Sequence, residues 1–158
     1  MILKDICIFS QNIHKNNFII NTILEIQFSF NIIFIQKLFW SYIQSIPSLN
    51  NFEEELVDIP NHSNWTTFSR NPTYADDFFR VIMYINIHLS SLCFTLCKDI
   101  YNHRDISLIL FFNNNSVFYL MNIYSDLSQV VLKYLKDSEV NIQNMLVITS
   151  DFNIRDSL

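Results

Sequence analysis

The sequence predicts an α/β fold, one domain in which helices cover sheet. Three observations carry this. Apolar runs of strand length alternate with a stretch of helical spacing, as Ile2 to Phe9, Asn17 to Phe28 and Ile32 to Gln36. A second such series closes the chain, with two apolar runs around an Asn-rich turn, a helical stretch and a last apolar run at Met145 to Ile148. Half of the 158 residues are hydrophobic and 15% are aromatic, which provides a packed core at the length of one domain.

Each element has its own warrant. Ile2 to Phe9 is rich in Ile and Phe, as strands are, and runs into the polar break Ser10-Gln11-Asn12. Ile20, Ile23, Leu24 and Phe28 recur at helical spacing, with Asn17 or Asn21 as the candidate cap. Ile32 to Gln36 is a second strand, ending in Gln36-Lys37. Strand, helix and strand on short links form a βαβ unit, so the two strands should lie parallel. Leu38 to His62, with Pro47, Pro60 and Glu53-Glu54-Glu55, reads as a surface excursion, and the acidic run as a solvated face.

Asn64 to Arg70 and Arg80 to Leu89 read as strands joined by a loop through Pro72 and Asp76-Asp77. Ser91 to Leu96 either prolongs the second or forms another. Ile106 to Phe112 and Val117 to Tyr124 flank Asn113-Asn114-Asn115-Ser116, a hairpin signal, because consecutive Asn residues tolerate left-handed backbone. Leu127, Val130, Val131, Tyr134 and Leu135 follow at helical spacing, with Asp126 as the cap. Met145 to Ile148 is continuously apolar, the pattern of a short strand buried on both faces.

Composition narrows the function classes. The net charge of -5 makes the whole domain a poor non-specific ligand for nucleic acid, so such a role needs a local site. Glycine is absent, and abundant Asn is the expected substitute where φ is positive. Cys7, Cys93 and Cys97 are an odd set that makes no disulfide framework and points to reduced thiols in an intracellular setting. Cys93 and Cys97 with His88 and His103 match no standard zinc spacing. Lys4 and Asp5 interrupt the first apolar run, so it is not a signal peptide, and no stretch reaches membrane-span length. The four histidines are scattered, and no Gly-rich phosphate loop or nucleophile elbow occurs.

The chemistry concentrates at the last strand. Met145 to Ile148 leads into Thr149-Ser150-Asp151-Phe152-Asn153. Residues two apart in an extended segment point the same way, so Asp151 and Asn153 can reach one site. Strand carboxyl ends are where open α/β sheets place ligands. A carboxylate and an amide together suit a hard cation and a phosphate oxygen.

Four segments, in order and each at a predicted strand end, resemble the endonuclease/exonuclease/phosphatase superfamily, the DNase I-like fold. They are Ser10-Gln11-Asn12, Ile33-Phe34-Ile35-Gln36-Lys37, Asn122-Ile123-Tyr124-Ser125 and Ser150-Asp151-Phe152-Asn153. The match is most similar to the apurinic-type endonuclease domain of fungal LINE-type retrotransposons. The resemblance implies an α/β sandwich of two sheets flanked by helices, of which residues 1–158 would be the N-terminal two-thirds, a single partial domain. It implies a magnesium-dependent phosphodiesterase acting on DNA, inside the cell and in the nucleus. Carried over by position, Asn12 helps arrange the metal site, Tyr124 steadies the phosphate, Asp151 orients or deprotonates the attacking water, and Asn153 binds the phosphate.

The departures are equally specific. Lys37 stands where the family has its metal-binding glutamate, which puts an ammonium in place of an oxygen ligand and repels magnesium. Ser150 replaces a glycine. The family's later aspartate and its Asp-His pair have no candidate, and the absent strands would leave a sheet face and edge open to self-association. Two functional classes follow: a metal-dependent endonuclease-type domain that is inactive or weakened, and a non-catalytic fragment or interaction domain. A single mixed sheet should gather the strands at Ile2 to Phe9, Ile32 to Gln36, Val117 to Tyr124 and Met145 to Ile148. Their carboxyl ends should bring Asn12, Lys37, Tyr124, Asp151 and Asn153 into one cleft.

Overall fold

A computed structural model describes residues 6–16, 18–26, 29–41, 47–48, 51–54, 62–69, 78–90, 94–97, 103–113, 116–126, 128–138 and 145–152. Its elements in chain order are β1 (Ile8–Asn12), α1 (Ile19–Ile26), β2 (Ile32–Ser41), β3 (Pro47–Ser48), β4 (Asn51–Glu54), β5 (Trp65–Phe68) and β6 (Phe78–Asn86). There follow α2 (Ile87–Ser90), β7 (Phe94–Leu96), β8 (Ile106–Asn113), β9 (Ser116–Ser125), α3 (Val130–Asp137) and β10 (Met145–Phe152). Two four-stranded sheets form, in the orders β1-β2-β6-β5 and β10-β9-β8-β7, and β3 with β4 makes a small hairpin apart.

The side-chain alternation of the strands builds four layers. On the outer face of the first sheet, Ile33, Ile35, Ile82 and Tyr84 pack against Ile20, Ile23 and Leu24 of α1. The indole Nε1 of Trp65 donates to the Leu24 carbonyl at 3.0 Å and ties the helix end to β5. The inner-face neighbours Ile32, Phe34, Met83 and Ile85 meet Ile109 and Leu120 of the second sheet. Leu108, Met121 and Ile123 then face outward and bury Val131 of α3. Val81 to Asn86 are all buried because β6 is covered by α1 on one side and by the second sheet on the other. Tyr84 is fully buried, and burial pushes its phenol well above the usual range.

Both strand-helix-strand units have the expected sense. β1 pairs parallel with β2 through α1, and β9 pairs parallel with β10 through α3. The Asn-rich turn is a tight hairpin, with Asn113 opposite Ser116 across two residues. No described helix is long and apolar enough to cross a membrane.

Several expectations need correction. The four strands do not share one sheet: β1 and β2 belong to one, β9 and β10 to the other. Each parallel pair takes an antiparallel strand as its next neighbour, β6 beside β2 and β8 beside β9, and the two sheets then stack. Of the first strand's expected range, residues 2–5 lie outside the described residues; the described strand, Ile8–Asn12, runs past Phe9 through Ser10-Gln11-Asn12, because the β2 ladder holds Gln11 opposite Ile35 and Asn12 opposite Gln36. β2 does not stop at Lys37 but continues to Ser41, and the segment to His62 contains the β3-β4 hairpin. The strand read as ending at Leu89 ends at Asn86, whose side-chain oxygen accepts the His88 N–H at 3.0 Å and turns the chain into α2.

The caps differ from expectation where the structure describes them. Asn21 lies inside α1, and Asn17 falls outside the described residues. Gln129, not Asp126, precedes α3, and no side chain caps it. Nor do Asn residues take the left-handed positions: among the described residues these are His14, Lys15, Lys37 and Gln129. Asn serves instead as an acceptor beside turns, as Asn12 Oδ1 does for the His14 N–H at 2.9 Å.

Candidate functional site

The site grows from polar residues that continue the inner faces of the two sheets. Ile8 of β1 faces the second sheet, so Ser10 and Asn12 continue that face. Gln36 follows Phe34 on β2 in the same way, and Asn122 and Tyr124 follow Leu120 on β9. The apolar layer therefore gives way, toward the carboxyl ends of β1 and β9 and midway along β2, to a stack of amides and hydroxyls.

Those amides bind the sheets together. Gln36 Nε2 donates to Ser10 Oγ at 2.9 Å and to Asn122 Oδ1 at 2.8 Å. Asn122 Nδ2 donates back across the interface to the backbone carbonyls of Ile35 at 3.1 Å and Ile82 at 3.0 Å. Gln36 is 2% exposed and Asn122 is fully buried, so these bonds form without competition from water.

Just past Gln36 the strand deforms. The β2-β6 register shifts between Gln36 and Trp40, and Lys37 adopts φ 56°. A bulge of this kind re-aims side chains at a strand end. The turn after β1 locks onto it: the Ile13 N–H donates to the Gln36 carbonyl at 3.1 Å and the Lys15 N–H to the Lys37 carbonyl at 2.8 Å. Lys37 Nζ lies 3.4 Å from His14 Nδ1.

Across the mouth, Arg80 of β6 reaches the second sheet. Its Nε and Nη2 grip both oxygens of Asp105, and Nη1 donates to Asp126 Oδ2 at 2.8 Å. The guanidinium carbon sits 4.7 Å from the centre of the Tyr124 ring. The Tyr124 N–H donates to the Asp105 carbonyl at 3.0 Å, which holds the tyrosine and the carboxylate in one frame. Burial works against charge on Arg80, yet the hydrogen bonds and charges of Asp105 and Asp126 outweigh it and raise its pKa. The Ser128 hydroxyl, above all, holds the Asp126 carboxyl down to about 2; burial opposes it, and the hydrogen bond and charge of Arg80 add to the lowering.

Four of the five residues singled out from the sequence are among the described residues. Asn12 is opposite Gln36, Lys37 follows Gln36, and Tyr124 is two residues beyond Asn122. Asp151 is placed by its backbone in β10, in register with Tyr124. Asn153 lies outside the described residues. Sequence reasoning missed Gln36, Asn122, Arg80 and Asp105 as working parts. Asn122 did carry a signal, as a lone amide inside an otherwise apolar strand.

The described donors do not fit a divalent cation. Asn12 Oδ1 accepts the His14 N–H, and Lys37, one residue past the Asn12 partner Gln36, brings an ammonium, which repels a divalent cation. Among the described residues, no three His, Cys, Asp or Glu side chains converge as metal ligands.

Two stacked mixed sheets, a helix on each outer face and polar strand ends in between define the DNase I-like class of α/β sandwich. Among solved structures, the chain is similar to the endonuclease domain of TRAS1, a telomere-specific non-LTR retrotransposon. The two share 10% identity with a TM-score of 0.54, over 84% of this chain and 50% of that one. The chain thus spans about half the length of the structure it matches, and at that identity the likeness establishes the fold. No family model and no curated protein sequence matches it.

Proposed function

We propose that this chain is a phosphodiesterase-type domain of the retrotransposon-endonuclease kind, acting on DNA, with its hydrolytic centre silenced at Lys37. The fold shared with the TRAS1 endonuclease domain supports the class. One observation carries the rest: an ammonium, not a carboxylate, stands at the bulge of β2, one residue past Gln36, which pairs with Asn12 of β1. In this reading Tyr124 steadies a phosphate, and Asp151 and Asn153 orient water and the phosphoryl oxygens. Magnesium would supply charge stabilisation in an active relative, and binding is impaired here by Lys37.

Supercoiled plasmid with magnesium tests this. The parent chain should leave the plasmid intact. Lys37→Glu should recover metal binding more than turnover, because residues that act as one catalytic unit do not repair singly. Appreciable nicking by the parent, abolished in Asp151→Ala, would sink the reading of Lys37. The same reading includes self-association. β10 ends its sheet among the described strands, and an open strand edge is a template for a second copy. Sedimentation over a concentration series should show dimers, and a monomer throughout would contradict this.

A further inference from the structure

The misfit between this strand end and a divalent cation points to a different way of holding a phosphate. Charge decides which groups count. Arg80 is the more deeply buried cation, but Asp105 and Asp126 both hold it, so that cluster offers no net positive charge. Lys37 differs. Among the described residues no carboxylate pairs with it, and its ammonium lies against the ring nitrogen of His14.

That contact anchors the side chain without cancelling its charge. When Nδ1 accepts one N–H, two remain on the ammonium for a ligand. The backbone is fixed as well, since the Lys37 carbonyl holds the Lys15 N–H and the Gln36 carbonyl holds the Ile13 N–H. An anchored cation binds an anion with less entropy lost than a free surface lysine. It follows Gln36, which pairs with Asn12 of β1 and bonds Asn122, two residues before Tyr124 on β9.

We propose that this strand end takes a DNA phosphodiester directly, with the Lys37 ammonium in place of a divalent ion, so that DNA binding does not require magnesium. The inference rests on the DNA-directed reading given above and adds the mode of contact. It also answers the acidity of the chain. With a net charge of -5 the domain as a whole repels DNA, so a single local cation should dominate the binding and its salt dependence.

The test is fluorescence anisotropy of a labelled short DNA duplex at low salt, in EDTA and then in excess magnesium, with the full chain. The parent should bind in EDTA, and magnesium, a competing counterion, should not tighten it. Lys37→Arg should keep the affinity. Lys37→Gln should weaken it and lower the salt slope by about one. Lys37→Glu should weaken it by roughly tenfold in EDTA. Circular dichroism checks that each variant folds, and the Arg and Gln pair decides the matter if the Glu variant does not. Binding that appears only with magnesium overturns this proposal and leaves the nuclease-type reading standing. Binding in neither condition overturns both. Equal binding by the parent and Lys37→Gln overturns the role of Lys37.

Discussion

Replacing Asn122 by leucine should cost this domain about 3 kcal/mol, a large share of the roughly 5–15 kcal/mol that holds a domain of this size together. The side chain is fully buried and, among the described residues, makes three hydrogen bonds: one from Gln36 Nε2 and two to the carbonyls of Ile35 and Ile82. At about 1 kcal/mol net each, the bonds account for about 3 kcal/mol. The buried groups left behind add roughly 1 kcal/mol or more, and the apolar surface of leucine returns about as much. Urea unfolding followed by tryptophan fluorescence measures the loss, and the denaturant slope should stay unchanged. Gln36→Leu deletes one of the same bonds. The double variant should therefore lose less than the sum of the singles, by about 1 kcal/mol. A loss below about 1 kcal/mol for Asn122→Leu, or strict additivity with Gln36→Leu, would refute the view that this amide pins the sheets.

Arg80→Met should destabilise by about 3 kcal/mol, because it leaves Asp105, which is 1% exposed, without its two-pronged partner. Arg80→Lys should fall between, keeping the charge but not the planar fork; thermal melts rank the three. Asp126 is held down to about 2 in the folded chain, below its ordinary value of 3.8. Its contribution is therefore complete above that ordinary value and fades as the pH falls toward 2. Stability measured from neutral pH into this acid window should drop more steeply for the parent than for Asp126→Asn. Parallel curves would remove Asp126 from the account.

Much of the fold was legible because strand and helix patterns are local. Ile20, Ile23 and Leu24 announce one buried helix face, and the alternation through Val81 to Tyr84 serves two different apolar layers. The hairpin at Asn113 to Ser116 and the parallel sense of β1 and β2 follow from link length and composition. The resemblance in four short motifs placed Asn12, Lys37, Tyr124 and Asp151 at strand ends; the structure pairs Asn12 with Gln36 and Asp151 with Tyr124, and puts Lys37 at a bulge inside β2.

What the chain could not show locally is who sits beside whom. Apolar runs say that a strand is buried, not which sheet it joins, so the split of β1-β2 from β9-β10 appeared only in three dimensions. Gln36 and Asn122 are 86 residues apart, and no periodicity joins them. Arg80, Asp105 and Asp126 read as ordinary charged residues until β6, β8 and β9 meet. The sequence by itself determined the apolar faces of the strands and helices and the cation at position 37. The tertiary structure decided which polar groups face one another, because hydrogen bonds and ion pairs act over a few ångströms of space while patterning acts along the chain.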